Sequence, residues 1–302
     1  MTRLVIDTDP GIDDALALLL AFGTPGCSVE AVTTVAGNVE LPLATANAHR
    51  VIAVADLATP PRVVPGAARP VARDLVTAAH YHGADGLGGT ARVVATAPLG
   101  CEAPEAIIQI ARTLRRMLTL VAIGPLTNVA VALERDREAL AGIGRLVVMG
   151  GAVEVPGNVT PGAEFNLHVD PEAAERVLAA GLPVDIVPLD VTRRVVLRPR
   201  ALAEALAGAP PPIATLVSGI TRQALLREEA QGRPGIELHD PVAVGVALDP
   251  SFVRLEPLRL RVGPGGETTR IGGPPNCRVA LDVDAVRFIS WFLERLCRRV
   301  SS

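Results

Sequence analysis

The chain has 302 residues, 49% of them hydrophobic and 20% charged, which suits a globular protein with a sizeable core. Its formal net charge is -3 and no block of like charges occurs, so there is no electrostatic case for binding nucleic acid or a membrane surface. Aromatic residues are only 2%, which argues against a base-stacking nucleic-acid surface. All 29 basic residues are arginines, and this excludes mechanisms that need a Schiff-base or phosphate-binding lysine.

The two ends of the chain and its loops bear on location and domain organisation. Only Met-Thr-Arg precedes the first apolar segment, and no apolar run approaches the length that spans a bilayer. We therefore expect a cytoplasmic protein. The Pro- and Gly-rich stretches at 208–212, 231–235 and 263–275 are interpreted as loops, because regular patterns resume on both sides. Residues 1–302 are thus expected to form a single domain.

Short apolar runs alternate with helical patterns along the chain. Strands are predicted at 3–8, 29–36, 62–65, 118–123, 145–150 and 183–189, and helices at 13–22, 41–57, 105–117 and 127–134, with another beginning at Asp170-Pro171. The later part carries helical patterns at 199–207, 211–230, 240–248 and 283–299 and strand-like segments at 252–262 and 277–282. This alternation predicts an α/β fold with an open, mainly parallel (mixed), Rossmann-like sheet and helices on both faces.

The most informative feature is a group of four aspartates, Asp7, Asp9, Asp13 and Asp14, at the end of the first predicted strand. Open α/β sheets bind ligands at the carboxyl ends of their strands. Crowded carboxylates resist ionisation unless a cation or polar ligand compensates them, and Ca²⁺ and Mg²⁺ prefer such oxygen ligands. We therefore predict a metal site. The alternative is that Asp13 and Asp14 stabilise the start of the next helix while Asp7 is solvated, which would account for only part of the group.

Further polar residues follow other predicted strands. Asn38 follows the second strand, although asparagine after glycine is also ordinary turn chemistry. A long loop after the strand at 145–150 contains Asn158, Glu164 and Asn166. Loops of that length inside a compact domain are often functional, and these side chains can donate to or accept from hydroxyl groups. Around a metal ion they would suit a sugar.

Two of the five histidines lie in suggestive contexts. His82 is in a glycine-rich loop, and His239 precedes Asp240-Pro241 at a predicted helix start. Imidazole titrates near neutral pH, so either residue could transfer a proton. Asp240 could equally be a helix cap, with His239 merely its neighbour.

With these motifs the chain resembles the inosine–uridine-preferring nucleoside hydrolases. The stretch from Asp7 to Asp14, Asp-Thr-Asp-Pro-Gly-Ile-Asp-Asp, looks like the signature of that family. The similarity covers essentially the whole chain in the family's order. Its further segments are 35–38, 82–86, 124–128, 149–151, 157–158, 164–166, 170–171 and 239–241.

The resemblance implies a ribonucleoside hydrolase that uses Ca²⁺ and a metal-bound water to split the N-glycosidic bond into ribose and free base, with its active site at the carboxyl ends of the strands. The protein ligands of Ca²⁺ would be the carboxylates of Asp9, Asp14 and Asp240 and the main-chain carbonyl of Ile123. The ribose contacts would fall on Asp13, Asn38, Asn158, Glu164 and Asn166. We expect the partners to be a small-molecule ribonucleoside and further copies of the chain, in a homodimer or homotetramer.

The catalytic roles follow from the chemistry of the bond. Asp9 is assigned as the base that takes a proton from water, and His239, or else His82, as the acid that protonates the departing base. Many relatives place tyrosines on the helix before the His-Asp motif, whereas residues 211–238 contain no aromatic side chain here. Phe165 is the expected base-stacking residue, with Tyr81 as a second candidate, and an arginine such as Arg222 is an alternative source of activation. The base preference is left open.

Two other classes of protein share some of these features. A haloacid-dehalogenase-type phosphatase also begins with a strand and an Asp-x-Asp pair, but its second aspartate is usually followed by threonine or valine, and a lysine usually supports the phosphate. Here Pro10 follows Asp9, and the chain contains no lysine. A catalytically weak ribose- or nucleoside-binding protein of the same fold is the other alternative, and the aromatic-poor base region keeps it open.

Overall fold

The computed structural model describes residues 1–90 and 100–298. Its strands, in chain order, are β1 (Thr2–Thr8), β2 (Cys27–Thr34), β3 (Arg62–Pro65), β4 (Leu118–Ala122), β5 (Arg145–Met149), β6 (Val184–Val187), β7 (Val196–Leu197), β8 (Ile236–Glu237), β9 (Val253–Leu258), β10 (Leu260–Val262), β11 (Thr268–Arg270) and β12 (Cys277–Val283). Its α-helices are α1 (Ile12–Phe22), α2 (Leu41–Ala55), α3 (Ala79–His82), α4 (Ala103–Leu114), α5 (Thr127–Arg135), α6 (Arg137–Ala141), α7 (Phe165–Val169), α8 (Pro171–Leu178), α9 (Leu189–Thr192), α10 (Pro199–Leu206), α11 (Pro211–Ala230), α12 (Asp240–Leu248) and α13 (Ala285–Leu296).

Eight strands form a central sheet in the order β3-β2-β1-β4-β5-β6-β12-β9. All neighbouring pairs are parallel except β12 and β9 at one edge, which are antiparallel. The predicted mainly parallel, mixed sheet is therefore confirmed. The chain adds β2 and β3 on one side of β1 and then β4, β5 and β6 on the other. The strand order thus reverses between β1 and β4, and ligands bind at the carboxyl ends of strands beside such a reversal.

Helices cover both faces of the sheet. In β1, Leu4 and Ile6 belong to one apolar core and Val5 to a second, because successive side chains of a strand point to opposite faces. The first core includes residues of α1, α2, α11, α12 and α13, and the second includes residues of α4, α5, α6 and α8. Strands buried on both faces read as continuous apolar runs, which is why the sequence predicted them well.

The structure corrects several predicted boundaries. The strand predicted at 252–262 is two strands in different sheets: β9 pairs with β12, whereas β10 pairs with β11 inside the predicted loop 263–275. The helix predicted at 105–117 ends at Leu114, and a 3-10 turn follows it. The last predicted helix is α13, and residue 299 of that prediction lies outside the described residues. In 1–90 and 100–298, none of the helices has the length and apolar character required to cross a membrane.

Candidate active site

A cavity of about 540 Å³ opens at the carboxyl ends of β1, β4 and β5, a volume typical of small-molecule sites. Most residues singled out from the sequence line it. They are Asp13, Asn38, Tyr81, His82, Ile123, Asn158, Glu164, Phe165, Asn166, His239 and Asp240. Asp9 and Asp14 are fully buried beneath this wall.

Three buried carboxylates converge at the cavity. Asp13 and Asp14 lie in the first turn of α1, Asp240 is the first residue of α12, and one oxygen of each lies within 4.8 Å of the others. The two helices pack against each other, which joins the two ends of the chain. Burial and the charge of Asp14 raise the pKa of Asp13 to about 7, and burial and the charge of Asp13 raise the pKa of Asp240 well above its ordinary value. A cation would relieve this repulsion.

The Asp9 carboxylate is enclosed by two glycines. A Cβ at Gly37 would lie 2.1 Å from Oδ2 of Asp9, and a Cβ at Gly124 would lie 2.6 Å from Oδ1, so only glycine leaves room. The backbone N–H of Asn38 donates to Oδ2 at 2.6 Å, whereas Oδ1 is buried without a hydrogen-bond partner in the described part of the chain. Burial and the charge of Asp14 raise the pKa of Asp9 well above its ordinary value. A buried oxygen of this kind suits either a cation ligand or a general base.

Asp14 both caps a helix and belongs to the carboxylate cluster. Its Oδ2 accepts the Gly11 backbone N–H at 2.9 Å and the Asn38 side-chain amide at 3.0 Å. The helix-capping interpretation and the metal hypothesis therefore do not exclude each other. Asp7, by contrast, is not solvated as that interpretation required: it is fully buried, and Asn128 donates to its Oδ1 at 2.8 Å.

The loop before α7 and the first turn of that helix supply three of the predicted ribose contacts, Asn158, Glu164 and Asn166. The Glu164 carboxylate caps α7 and accepts the Asn166 backbone N–H at 3.0 Å, while burial raises the pKa of Glu164 to about 7. The Asn166 side chain donates to the Ile123 carbonyl at 3.0 Å, so a predicted ribose contact touches the predicted carbonyl ligand. Oδ1 of Asn158 accepts the Phe165 backbone N–H at 2.9 Å. The loop is therefore held in place by the side chains that it presents to the cavity.

His82 is held as a neutral imidazole. Its Nδ1 accepts the Ile12 backbone N–H at 3.1 Å, which requires that nitrogen to be unprotonated and leaves the proton on Nε2. Burial lowers the pKa of His82 to about 3. His82 thus connects α3 to the first turn of α1, next to the carboxylates.

This environment predicts a pH dependence of stability. Below the ordinary histidine pKa of 6.5 the unfolded chain binds a proton at His82 that the folded protein does not, so lowering the pH should reduce the free energy of unfolding. Between pH 6.5 and 4.5 this residue should lower the free energy of unfolding by roughly 2 kcal/mol. Urea unfolding at pH 6.5 and at pH 4.5 measures this effect. The free energy of unfolding should fall less in His82→Gln than in the unmodified protein. The control is His49→Gln, at an exposed position of α2, in which the free energy of unfolding should fall as much as in the unmodified protein. Parallel pH profiles of this free energy for His82→Gln and the unmodified protein would contradict the prediction.

His239 lies at the start of α12 with both ring nitrogens near polar groups. Its Nδ1 is 2.8 Å from the Thr192 hydroxyl, and its Nε2 is 3.7 Å from Oε2 of Glu237. Burial and the charge of Arg193 lower the pKa of His239 to about 4, so the imidazole is neutral at pH 7 in the free protein. An acid role for His239 therefore requires a proton supplied when substrate is bound, and Glu237 is the adjacent carboxyl group.

Four charged residues on the cavity wall were not anticipated from the sequence: Arg193, Glu228, Arg233 and Glu237. Glu228 lies near the end of α11, Arg233 in the loop that follows, Glu237 in β8 and Arg193 just after α9. Glu228, Arg233 and Glu237 lie within residues 211–238, the segment in which aromatic residues were expected and are missing. Arg222, the arginine considered from sequence, is instead exposed on α11.

The chain belongs to the inosine–uridine preferring nucleoside hydrolase family, whose sequence model matches residues 4–290. The predicted resemblance is confirmed. The protein is a ribonucleoside hydrolase with the α/β fold of that family. Membership in this family contradicts the Asp-x-Asp phosphatase alternative.

Several relatives match over nearly the full length of the chain. The pyrimidine-specific ribonucleoside hydrolase RihA of Klebsiella pneumoniae subsp. pneumoniae is 37% identical over 306 residues, 97% of each chain. RihA of Escherichia fergusonii is 36% identical over 312 residues, again 97% of each. Among solved structures, the plant nucleoside hydrolase PpNRh1 has a TM-score of 0.90 and 33% identity, covering 98% of this chain and 99% of that one. A purine-preferring ribonucleoside hydrolase from Gardnerella vaginalis has a TM-score of 0.90 and 29% identity, covering 98% of each.

Proposed function

We propose that the protein hydrolyses the N-glycosidic bond of ribonucleosides with Ca²⁺ held by Asp9, Asp14 and Asp240 and the carbonyl of Ile123. The convergence of buried carboxylates from α1 and α12 on one cavity carries this proposal. All the candidate ligands are oxygen atoms, which suits a hard cation such as Ca²⁺. Asp13 lies in the compact cluster with Asp14 and Asp240, and we assign it to the 2′-hydroxyl of the ribose beside the ion.

The residues around the cluster are assigned to proton transfer and to ribose binding. Bound Ca²⁺ would lower the pKa of the attacking water and bind the ribose hydroxyls. Asp9 takes the proton from the attacking water, since its Oδ1 has no donor among the described residues and its buried carboxylate has a raised affinity for a proton. Glu164 and Asn166 bind the remaining ribose hydroxyls from the start of α7, where their own hydrogen bonds hold them in place.

We infer that pyrimidine ribonucleosides are the preferred substrates, since both RihA relatives described above are named pyrimidine-specific. The test is a turnover assay on uridine, cytidine, inosine and adenosine, with Ca²⁺ present, after chelation, and after Ca²⁺ is restored. We expect the pyrimidine nucleosides to turn over faster, chelation to stop turnover and Ca²⁺ to restore it. Turnover that survives chelation would contradict the metal assignment, and saturable binding without turnover would favour the binding-protein alternative.

A variant of His239 tests leaving-group activation. If His239 protonates the departing base, His239→Ala should lower kcat for uridine by about 10² to 10⁴, the usual contribution of general acid catalysis. A p-nitrophenyl riboside has a leaving group that needs no proton, so its hydrolysis should fall far less. Steady-state kinetics on both substrates measure the difference. Equal losses would assign His239 to binding or structure, and His82→Ala would then be assayed on the same pair of substrates.

A further inference from the structure

One wall of the cavity carries an ion pair that the mechanism above does not use. Glu228 is 3% exposed, and the Arg233 guanidinium binds it in a fork: Nη2 donates to Oε1 at 2.9 Å, and Nε donates to Oε2. The Arg233 backbone N–H also donates to the Glu228 carbonyl at 2.8 Å. Two side-chain contacts and one backbone contact therefore fix the pair where α11 ends.

Folding alone gives little reason to keep this pair. A buried carboxylate loses its hydration, and apolar residues of similar size are often at least as stabilising as a buried ion pair. Both residues nevertheless face the cavity, and the Arg233 side chain remains 49% exposed. The guanidinium thus keeps N–H groups free for a further acceptor, and each carboxylate oxygen can accept a further donor.

Tyr81 connects this pair to the carboxylate cluster. The Arg227 guanidinium stacks 4.8 Å from the Tyr81 ring centroid and donates to the Tyr81 carbonyl at 2.8 Å, which fixes the ring against α11. Burial, then the charges of Asp13 and Glu228, raise the pKa of the Tyr81 hydroxyl. Tyr81, Asp13 and Glu228 line the same cavity, so a planar group attached to a ribose held at Asp13 shares that space with the Tyr81 ring and the Glu228 carboxylate.

We propose that the Glu228–Arg233 pair recognises the nucleobase by forming hydrogen bonds with the edge of the base that lies away from the glycosidic nitrogen. Glu228 accepts an N–H of the base, and Arg233 donates to a neighbouring carbonyl or ring nitrogen. Nucleobases with an adjacent donor and acceptor on that edge match the pair. An edge that lacks the N–H is rejected, because it turns an acceptor or a methyl group toward a buried carboxylate. The proposal rests on the ribonucleoside hydrolysis proposed above and adds the chemical basis for base selection.

Uridine and 3-methyluridine test this directly, since the methyl group replaces the N3–H of the base. The unmodified enzyme should favour uridine in kcat/KM by roughly 10- to 100-fold, the worth of one hydrogen bond to a charged group. The variant Glu228→Met/Arg233→Met removes both charges together, so no lone charge is left buried and folding is preserved. In this variant kcat/KM for uridine should fall by a similar factor, and the preference over 3-methyluridine should disappear.

Two controls separate loss of base recognition from a general loss of activity. The p-nitrophenyl riboside presents no N–H to Glu228, and its kcat/KM should change in the variant by far less than that of uridine. Arg3→Met/Glu30→Met removes a pair with the same fork geometry, both contacts at 2.8 Å, at the start of β1 and β2, and should leave the preference intact.

A preference for uridine that persists in Glu228→Met/Arg233→Met would be steric and would overturn the proposal. Equal losses on uridine and the p-nitrophenyl riboside would overturn it too, since the pair would then shape the whole site. Failure of the unmodified protein to hydrolyse either riboside would instead refute the proposed hydrolysis, and base reading with it.

Discussion

Replacing Asp14 with alanine should abolish Ca²⁺ binding and with it the hydrolysis of uridine. Asp14 lies in the cluster with Asp13 and Asp240, and its removal would deprive the proposed Ca²⁺ site of one of its carboxylates. Losing residues that merely support a metal ligand costs about 10- to 100-fold in affinity, so losing a ligand should cost more than about 10²-fold. Isothermal titration of the metal-free protein with Ca²⁺ measures the affinity, and kcat/KM for uridine measures the consequence.

The variant also removes a helix cap, so the comparison needs a variant with the same structural defect. Asp170 provides it, because this fully buried aspartate caps α8 through the Ala173 backbone N–H and accepts the Thr127 hydroxyl. Asp170→Ala should lower the melting temperature as Asp14→Ala does, while its Ca²⁺ affinity stays close to that of the unmodified protein. An unchanged affinity in Asp14→Ala would refute the metal site.

The central strands were predictable because burial on both faces leaves a clear pattern. The run at 118–123 predicted β4, which ends one residue earlier, at Ala122. The hairpin of β10 and β11 had no such pattern. Its strands are three residues long, and β10 is fixed partly by α8, where Glu175 accepts the Val262 backbone N–H at 2.8 Å. A contact with a distant helix decides that pairing, and periodicity along the chain does not report it.

The candidate site shows the same division. The position of Asp13 and Asp14 after β1 pointed to a ligand site through local sequence alone, since strand ends share one edge of the sheet. The approach of Asp240 depends on the packing of α1 against α12, and only the family resemblance indicated it. The Glu228–Arg233 pair had no signal of either kind. Charged residues at the end of a helix are usually solvated, and the burial of Glu228 appears only in three dimensions.

The unmodified enzyme should reject 2′-deoxyuridine by about 10⁴-fold in kcat/KM relative to uridine. A site built to bind a hydroxyl leaves its buried partners unpaired when that hydroxyl is missing, and discrimination of this size is typical. Asp13 is the proposed partner of the 2′-hydroxyl. It lines the cavity and is nearly fully buried, so it cannot turn to solvent for a replacement hydrogen bond.

The ratio of the two rates separates this role from a general loss of activity. Asp13→Ala should lower kcat/KM for uridine far more than kcat/KM for 2′-deoxyuridine, which reduces the ratio of the two values. Asn158 lies on the exposed part of the loop and is not proposed to contact the 2′-hydroxyl, so Asn158→Ala should lower kcat/KM for both substrates alike and keep the ratio. Comparable kcat/KM values for uridine and 2′-deoxyuridine with the unmodified enzyme would show that Asp13 does not bind the 2′-hydroxyl. Its proposed role would then be limited to the carboxylate cluster.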